Sequence, residues 1–216
     1  MSLTLYFHPL SSFCQKALTA LYEYGTPFTP LITNLGEEKS RADLLKLWPI
    51  GKFPVLRDDA RDVAVPEATI IIEYLTAHYP GKPKLIPDDT ARAWRVRLAD
   101  RFYDLYVNEM MQKIVGDRLR PAGSKDSAGV EHARGRLKSA YDVIEKDMTS
   151  RKWAAGDEFT MADCAAAPAL FYADLVQPFR ATHGNIAAYY DRLKERPSFA
   201  RAVEEAKPYF HMFPKE

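Results

Sequence analysis

Ser11 and Cys14 stand three residues apart where an apolar strand runs into a helix. The stretch Leu5–Leu18 reads Leu-Tyr-Phe-His-Pro-Leu-Ser-Ser-Phe-Cys-Gln-Lys-Ala-Leu. In redox proteins the same corner carries Cys-x-x-Cys. Here the first position of the pair is a hydroxyl. A helix N-terminus offers about half a positive charge and free N–H groups. A serine hydroxyl beside it can donate a hydrogen bond to a thiolate and lower the thiol pKa. The chemistry implied is stabilisation of a thiolate that a ligand brings. A plain N-cap is the competing account of Ser11. Ser12 directly follows and is an alternate for the same role. Cys14 is the rival, either a thiol of depressed pKa in the first helical turn or a small buried residue. Cys164, followed by three alanines, reads as core packing.

Two more stretches complete a possible site. In Gly51-Lys52-Phe53-Pro54-Val55-Leu56 the proline stands at a strand start, where it cannot donate to a ladder. A cis bond before Pro54 would turn the backbone of Phe53 toward the Ser11 loop, where it can pair with a peptide-like ligand. Lys52 can meet a carboxylate. Glu67-Ala68 opens a helix. Its carboxylate either offsets the helix dipole or, with the Ala68 N–H, holds the ammonium and carboxylate of an amino acid.

Leu3, Leu5 and Phe7 alternate with polar or amphipathic residues, as in a half-buried strand. A helix follows as far as Gly25 and Pro27. A second strand is expected over 28–33, and a short helix ends at Pro49. Strands over 53–57 and 63–65 flank a polar turn, and a helix spans 67–79. The order β-α-β-α-β-β-α predicts parallel pairing early and an antiparallel hairpin late, the thioredoxin-like arrangement. Beyond a proline-containing linker the pattern is helical throughout, with a long helix over 91–119 and an amphipathic one over 130–148. Pro168 is expected to kink the helix that Thr160 opens. The expected organisation is therefore an α/β unit over 1–80, a linker over 81–90 and an all-α unit over 91–216.

Composition narrows the function class. The 216 residues carry 30 Lys plus Arg and 29 Asp plus Glu, a net charge of +1. That balance gives no reason to expect nucleic acid or an anionic membrane as partner. Two cysteines are too few for a secreted disulfide scaffold, so a reducing cytoplasm is expected. No apolar run approaches the roughly 18 residues of a membrane span, and no signal peptide is visible.

Taken together, Ser-Ser-Phe-Cys-Gln-Lys at 11–16, Gly-Lys-Phe-Pro-Val-Leu at 51–56 and Pro-Glu-Ala-Thr-Ile-Ile-Ile-Glu-Tyr-Leu at 66–75 resemble the cytosolic glutathione S-transferases of bacterial type. Ala-Ala-Gly-Asp-Glu-Phe-Thr-Met-Ala-Asp at 154–163 and Arg-Pro-Ser-Phe-Ala-Arg-Ala at 196–202 extend the likeness over nearly the whole chain. The resemblance implies a glutathione transferase acting in detoxification, with no metal. It places Ser11 at the catalytic position, with Ser12 and Cys14 as alternates. It places Phe53 and the cis-proline Pro54 against the glutathione cysteinyl backbone. Glu67 and Ala68 then hold the γ-glutamyl end, and Lys52 with Lys39 approaches the glycyl carboxylate. Ala68 stands where the family commonly has serine, so one hydrogen bond of about 1 kcal/mol is missing. Thr160 and Asp163 match the family's capping box. The hydrophobic electrophile is expected to meet Phe13, Tyr106 and Met110 in the helical half. Asp100, Arg101 and Asp104 are expected either as solvated charges or as groups reaching the partner of a homodimer. Two other classes remain open: a glutathione-dependent thiol-disulfide reductase using Cys14, and a non-catalytic glutathione-binding or interaction protein.

Overall fold

The structure is a computed structural model and describes residues 2–214. Its sheet has four strands, β1 (Leu3–Phe7), β2 (Thr29–Ile32), β3 (Val55–Asp58) and β4 (Val63–Pro66), in the order β2-β1-β3-β4. β1 pairs with β2 in parallel, Thr4 opposite Thr29, and with β3 antiparallel, Leu5 opposite Leu56. β3 and β4 form the antiparallel hairpin. Leu3, Leu5 and Phe7 are buried and the residues between them are not, as the alternation predicts. β2 is an edge strand, exposed along its length.

α1 (Ser12–Tyr24) and α3 (Ala68–His78) cover one face of the sheet, while α2 (Glu38–Leu47) buries only Leu44. Cys14, Ala17, Leu18 and Leu21 pack with Ile71 and Leu75 over Leu5 and Leu56. Gly25 ends α1 at φ 62°, a conformation a side chain would strain.

The helical part begins with α4 (Thr90–Phe102), continues through a π-helical turn at Tyr103–Asn108 and resumes as α5 (Glu109–Arg118). The long helix expected over 91–119 is thus nearly continuous but carries extra residues per turn at its middle. α6 (Ser127–Asp147), α7 (Met161–Val176), α8 (Gly184–Glu195) and α9 (Pro197–Ala206) follow, then a 3₁₀ segment over Lys207–Met212. α7 is the axis: Ala165, Ala166, Ala167 and Ala169 are buried, letting its backbone approach its neighbours closely. Pro168 lies inside α7 without ending it. Ala20 of α1 and Ile72 of α3 belong to the same apolar cluster as the helical core. The two parts therefore share buried surface rather than merely abutting.

Asp163 secures the start of α7. Its Oδ2 accepts the Thr160 N–H at 2.8 Å and the Thr160 hydroxyl at 3.1 Å. Its Oδ1 accepts the Ala154 N–H at 2.8 Å and the Tyr189 hydroxyl at 2.6 Å. No helix among the described residues is long and apolar enough to cross a membrane.

Candidate active site

β1 stops at Phe7, and His8-Pro9-Leu10-Ser11 turns the chain into α1. The Ser11 N–H closes that turn on the His8 carbonyl at 3.0 Å. Ser11 is the N-cap, with φ −75° and ψ 122°, and its Oγ accepts the Cys14 N–H at 3.3 Å. A hydroxyl that accepts this bond keeps its own proton as a donor, and the Cys14 sulfur is the acceptor nearby within the protein. Ser11 lines a cleft of about 790 Å³ together with Phe13, Lys52, Phe53 and Met110.

The alternates lie elsewhere. Ser12 is buried, accepts a hydrogen bond from Gln112 Nε2 at 3.2 Å and lines a separate cavity of about 150 Å³ beneath Met212 and Phe213. Cys14 is fully buried, lines neither cleft, and takes the His8 N–H on its Sγ at 3.5 Å. Burial pushes its thiol up to about 12, outweighing the hydrogen bonds from Ser11 and His8 that favour the thiolate. At neutral pH Cys14 is a neutral thiol, so the reactive-thiolate reading of this residue has no support in its surroundings.

A second cleft of about 380 Å³ is lined by Pro54, Glu67, Ala68 and Thr69. Phe13, Lys52, Phe53 and Glu109 line both clefts, so the two form one groove. The Phe53–Pro54 peptide is cis, and Phe53 precedes the paired part of β3. Glu67 caps α3 at φ 69° and ψ 118°, in the left-handed region that a non-glycine residue enters at a cost of about 1–3 kcal/mol. Such strain persists where the surroundings over-determine it, and it gathers at functional positions. The Glu67 carboxylate caps no N–H of its own helix and is exposed to the groove. Ala68, buried in the first turn of α3, puts that helix's N-terminus at the groove floor.

Beneath this floor lies a buried ionic cluster. Lys16 of α1, 1% exposed, points its Nζ at Asp100 Oδ1 (2.6 Å), Asp104 Oδ2 (2.8 Å) and Thr69 Oγ1 (2.7 Å). Thr69 passes its own proton to Asp100 Oδ2 at 2.8 Å. Arg101, half exposed, adds bonds to Asp100 at 3.0 Å and to Asp104. Burial raises the Asp104 pKa, and Lys16 opposes that rise. Asp100 and Asp104 are therefore not solvated charges: they hold α1, α3 and α4 together, and Thr69, Arg101 and Asp104 form part of the lining of the smaller cleft.

Phe13 and Met110 line the larger cleft, as expected of a co-substrate wall. Tyr106 does not. Its ring lies 5.4 Å from that of Phe102 and 6.0 Å from the Arg136 guanidinium, outside the lining of either cleft. The π-helical turn explains the displacement, because each extra residue rotates the following side chains away from a 3.6-residue extrapolation. Lys39 is also outside both linings, exposed on α2. The far wall is instead polar: Glu109, Gln112 and Lys113 from α5, and His132 from α6. Lys113 is tied to Asp126 at 2.6 Å. These residues carry no sequence signal, since on α5 and α6 they look like any solvated helix face. Among the described residues, no group of His, Cys, Asp or Glu gathers to hold a metal ion.

Comparisons with known proteins bear on the family and the fold. The family model described as "Glutathione S-transferase, N-terminal domain" matches residues 5–83, and that described as "Glutathione S-transferase, C-terminal domain" matches residues 127–192. Glutathione S-transferase GstB of Escherichia coli K12 is 27% identical over 204 residues, covering 93% of this chain and 97% of the relative. Glutathione S-transferase 3 of Zea mays is 31% identical over 209 residues, covering 93% of each chain. The crystal structure of a glutathione S-transferase from Methylobacterium radiotolerans, in complex with glutathione sulfonate, superposes with a TM-score of 0.82 at 27% identity, covering 93% of this chain and 94% of that one. With matched halves in the same order, near-full-length relatives and a shared fold, the chain belongs to the glutathione S-transferase family.

Proposed function

We propose that the protein is a glutathione transferase in which Ser11 donates a hydrogen bond to the bound glutathione thiolate. The observation that carries this reading is that Ser11, alone of the three candidates, lines the groove, at the N-terminus of α1. Glutathione takes the smaller cleft, as a co-substrate. Its γ-glutamyl end meets Glu67 and the Ala68 N–H, its cysteinyl backbone runs along Phe53-Pro54, and its glycyl carboxylate lies toward Lys52. Lys39 has no part in this arrangement. A hydrophobic electrophile takes the larger cleft against Phe13 and Met110. The thiol proton leaves to solvent. A sulfur lone pair then forms the C–S bond as the leaving group departs with its electrons, or as a π pair moves onto an activating group. Acceleration comes from a larger thiolate fraction at neutral pH and from proximity.

Ser11→Ala is the test. A hydrogen bond to a charged group contributes about 1.5–3 kcal/mol, so kcat should fall by about 10- to 150-fold and the bound-thiol pKa should rise by about 1–2 units. An unchanged rate and pKa would sink the assignment. A stable mixed disulfide on Cys14 after treatment with glutathione disulfide would favour the reductase instead. Glutathione binding without turnover on a broad electrophile panel would favour a non-catalytic binding protein.

The same reading makes the protein a cytoplasmic homodimer. Trp94 and Leu98 on α4, Leu105 in the π-helical turn and Ile70 on α3 are large exposed apolar side chains, and pairing with a second copy would remove them from water. Sedimentation should show twice the chain mass at micromolar concentration; a single species at the monomer mass excludes the dimer.

A further inference from the structure

We propose that Gln15 is a positioning residue for Ser11, and that the C-terminal aromatic segment sets Gln15 through Tyr172. This rests on the role given to Ser11 above.

Gln15 is completely buried, and its Oε1 meets no hydrogen-bond partner among the described residues, a cost that burial of an amide incurs unless it is offset. Its side chain spends its donors on two specific atoms: Nε2 reaches the Pro9 carbonyl at 2.9 Å and the Tyr172 hydroxyl at 3.1 Å. Its backbone N–H meanwhile holds the Ser11 carbonyl at 2.9 Å. One residue thus grips the chain on both sides of the Ser11 side chain. Pro9 has no N–H, so its carbonyl is the only backbone polar group through which its orientation can be held. Fixing that carbonyl fixes the Pro9–Leu10 peptide plane, which lies at the centre of the His8–Ser11 turn. The plane in turn decides where Ser11 enters α1 and where its hydroxyl points.

The other end of the brace is as well defined. The Tyr172 ring stacks on Phe213 at 5.7 Å and 27°, and on Phe210 at 6.4 Å and 16°. Both phenylalanines belong to the segment that follows α9. The aromatic shelf holds the ring of Tyr172, the ring carries the hydroxyl, and the hydroxyl fixes the free end of Gln15. A chain of contacts therefore runs from the last described residues to the serine that lines the groove. Simple core packing would need no amide at this position, and an aliphatic side chain of the same length would fill the space.

The test uses Gln15→Met, which keeps length and loses both donors, and Tyr172→Phe, which keeps the ring and loses the hydroxyl. For each protein the pKa of bound glutathione is read from thiolate absorbance, and kcat and KM for glutathione are measured separately. For Gln15→Met the expected result is a bound-thiol pKa moved toward that of free glutathione. Its kcat should fall about 10- to 100-fold, the scale of a misplacement near 1 Å, while KM changes less than about threefold. Tyr172→Phe should move both quantities in the same direction by a smaller amount, and it serves alone if Gln15→Met does not fold. A wild-type protein that leaves the thiol pKa at its free value overturns the transferase reading and the brace with it. A wild-type protein that lowers the thiol pKa, with the lowering and kcat retained in the variants, overturns the brace alone, even if the variants melt earlier.

Discussion

Lys16→Met is expected to lower the melting temperature by about 10 °C or more. Lys16 is buried and holds the carboxylates of Asp100 and Asp104 at 2.6 and 2.8 Å. Methionine fills the same space and leaves both carboxylates buried, with only the half-exposed Arg101 to compensate. Removing one partner of a buried pair costs about 3–5 kcal/mol, because the remaining charge is uncompensated. In a domain of this size each kcal/mol shifts the midpoint by about 2–4 °C. The sign of the pH dependence follows from Asp104. Burial already raises its folded pKa, so between the unfolded and folded values the folded state holds a proton that the unfolded chain has released. The stability this contributes is present at low pH and is lost as pH rises through the folded value. Without Lys16 that value climbs further, so the deficit of the variant should widen from acid to neutral pH. Adding Asp104→Asn to the variant should return part of the loss. A Lys16→Met protein melting within about 2 °C of wild type at neutral pH would show that the cluster holds nothing.

The second large effect is at Asp163. Alanine there removes the acceptor of four hydrogen bonds, from the Ala154 and Thr160 N–H groups and the Thr160 and Tyr189 hydroxyls. Tyr189 is fully buried, so its hydroxyl has no route to water. Each buried donor left unmade costs about 1–3 kcal/mol, and relaxation keeps the total near the upper end of single-substitution effects, about 4–5 kcal/mol. Asparagine is not a conservative replacement. Whichever oxygen becomes NH₂ then faces two donors, so Asp163→Asn should fall much closer to alanine than to wild type. Burial pushes the Asp163 carboxyl up to about 6 despite the four bonds. A raised folded pKa again means stability that declines as pH rises, here between about 4 and 6. The gap in denaturant midpoint between wild type and Asp163→Ala should therefore narrow over that window and stay flat above it. A gap that widens instead would show that the hydrogen bonds, not burial, dominate the ionisation.

Much of this architecture was legible from residue pattern. The alternation Leu3-Leu5-Phe7 reports a strand with one buried face, and the polar turn before Val63 reports a hairpin. The corner at Ser11 was readable as a cap, and Glu67 as a helix start. The resemblance then gave these pieces a common purpose that no single motif carried. What was illegible has definite causes. Ser11 and Ser12 are neighbours of the same type at a helix start, and only the packed neighbours say which of them lies on the groove side. Lys16, Asp100 and Asp104 look like ordinary helix-surface charges, because a partner 88 positions away in the chain leaves no local trace. The left-handed backbone of Glu67 is invisible in a residue type that rarely adopts it. Tyr106 was chosen for its half-apolar, half-polar side chain, a residue type that does not say which way a π-helical turn presents it.

The shared wall of the groove has a thermodynamic consequence. Phe13, Lys52, Phe53 and Glu109 belong to both clefts, so a molecule in one becomes part of the surface that the other presents. Occupancies of the two clefts are then linked, and linkage is reciprocal: whatever factor the first occupant imposes on the affinity of the second, the second imposes on the first. Selectivity on one side of Phe53 is thereby a property of what sits on the other side, and an affinity measured with one cleft empty describes a different receptor.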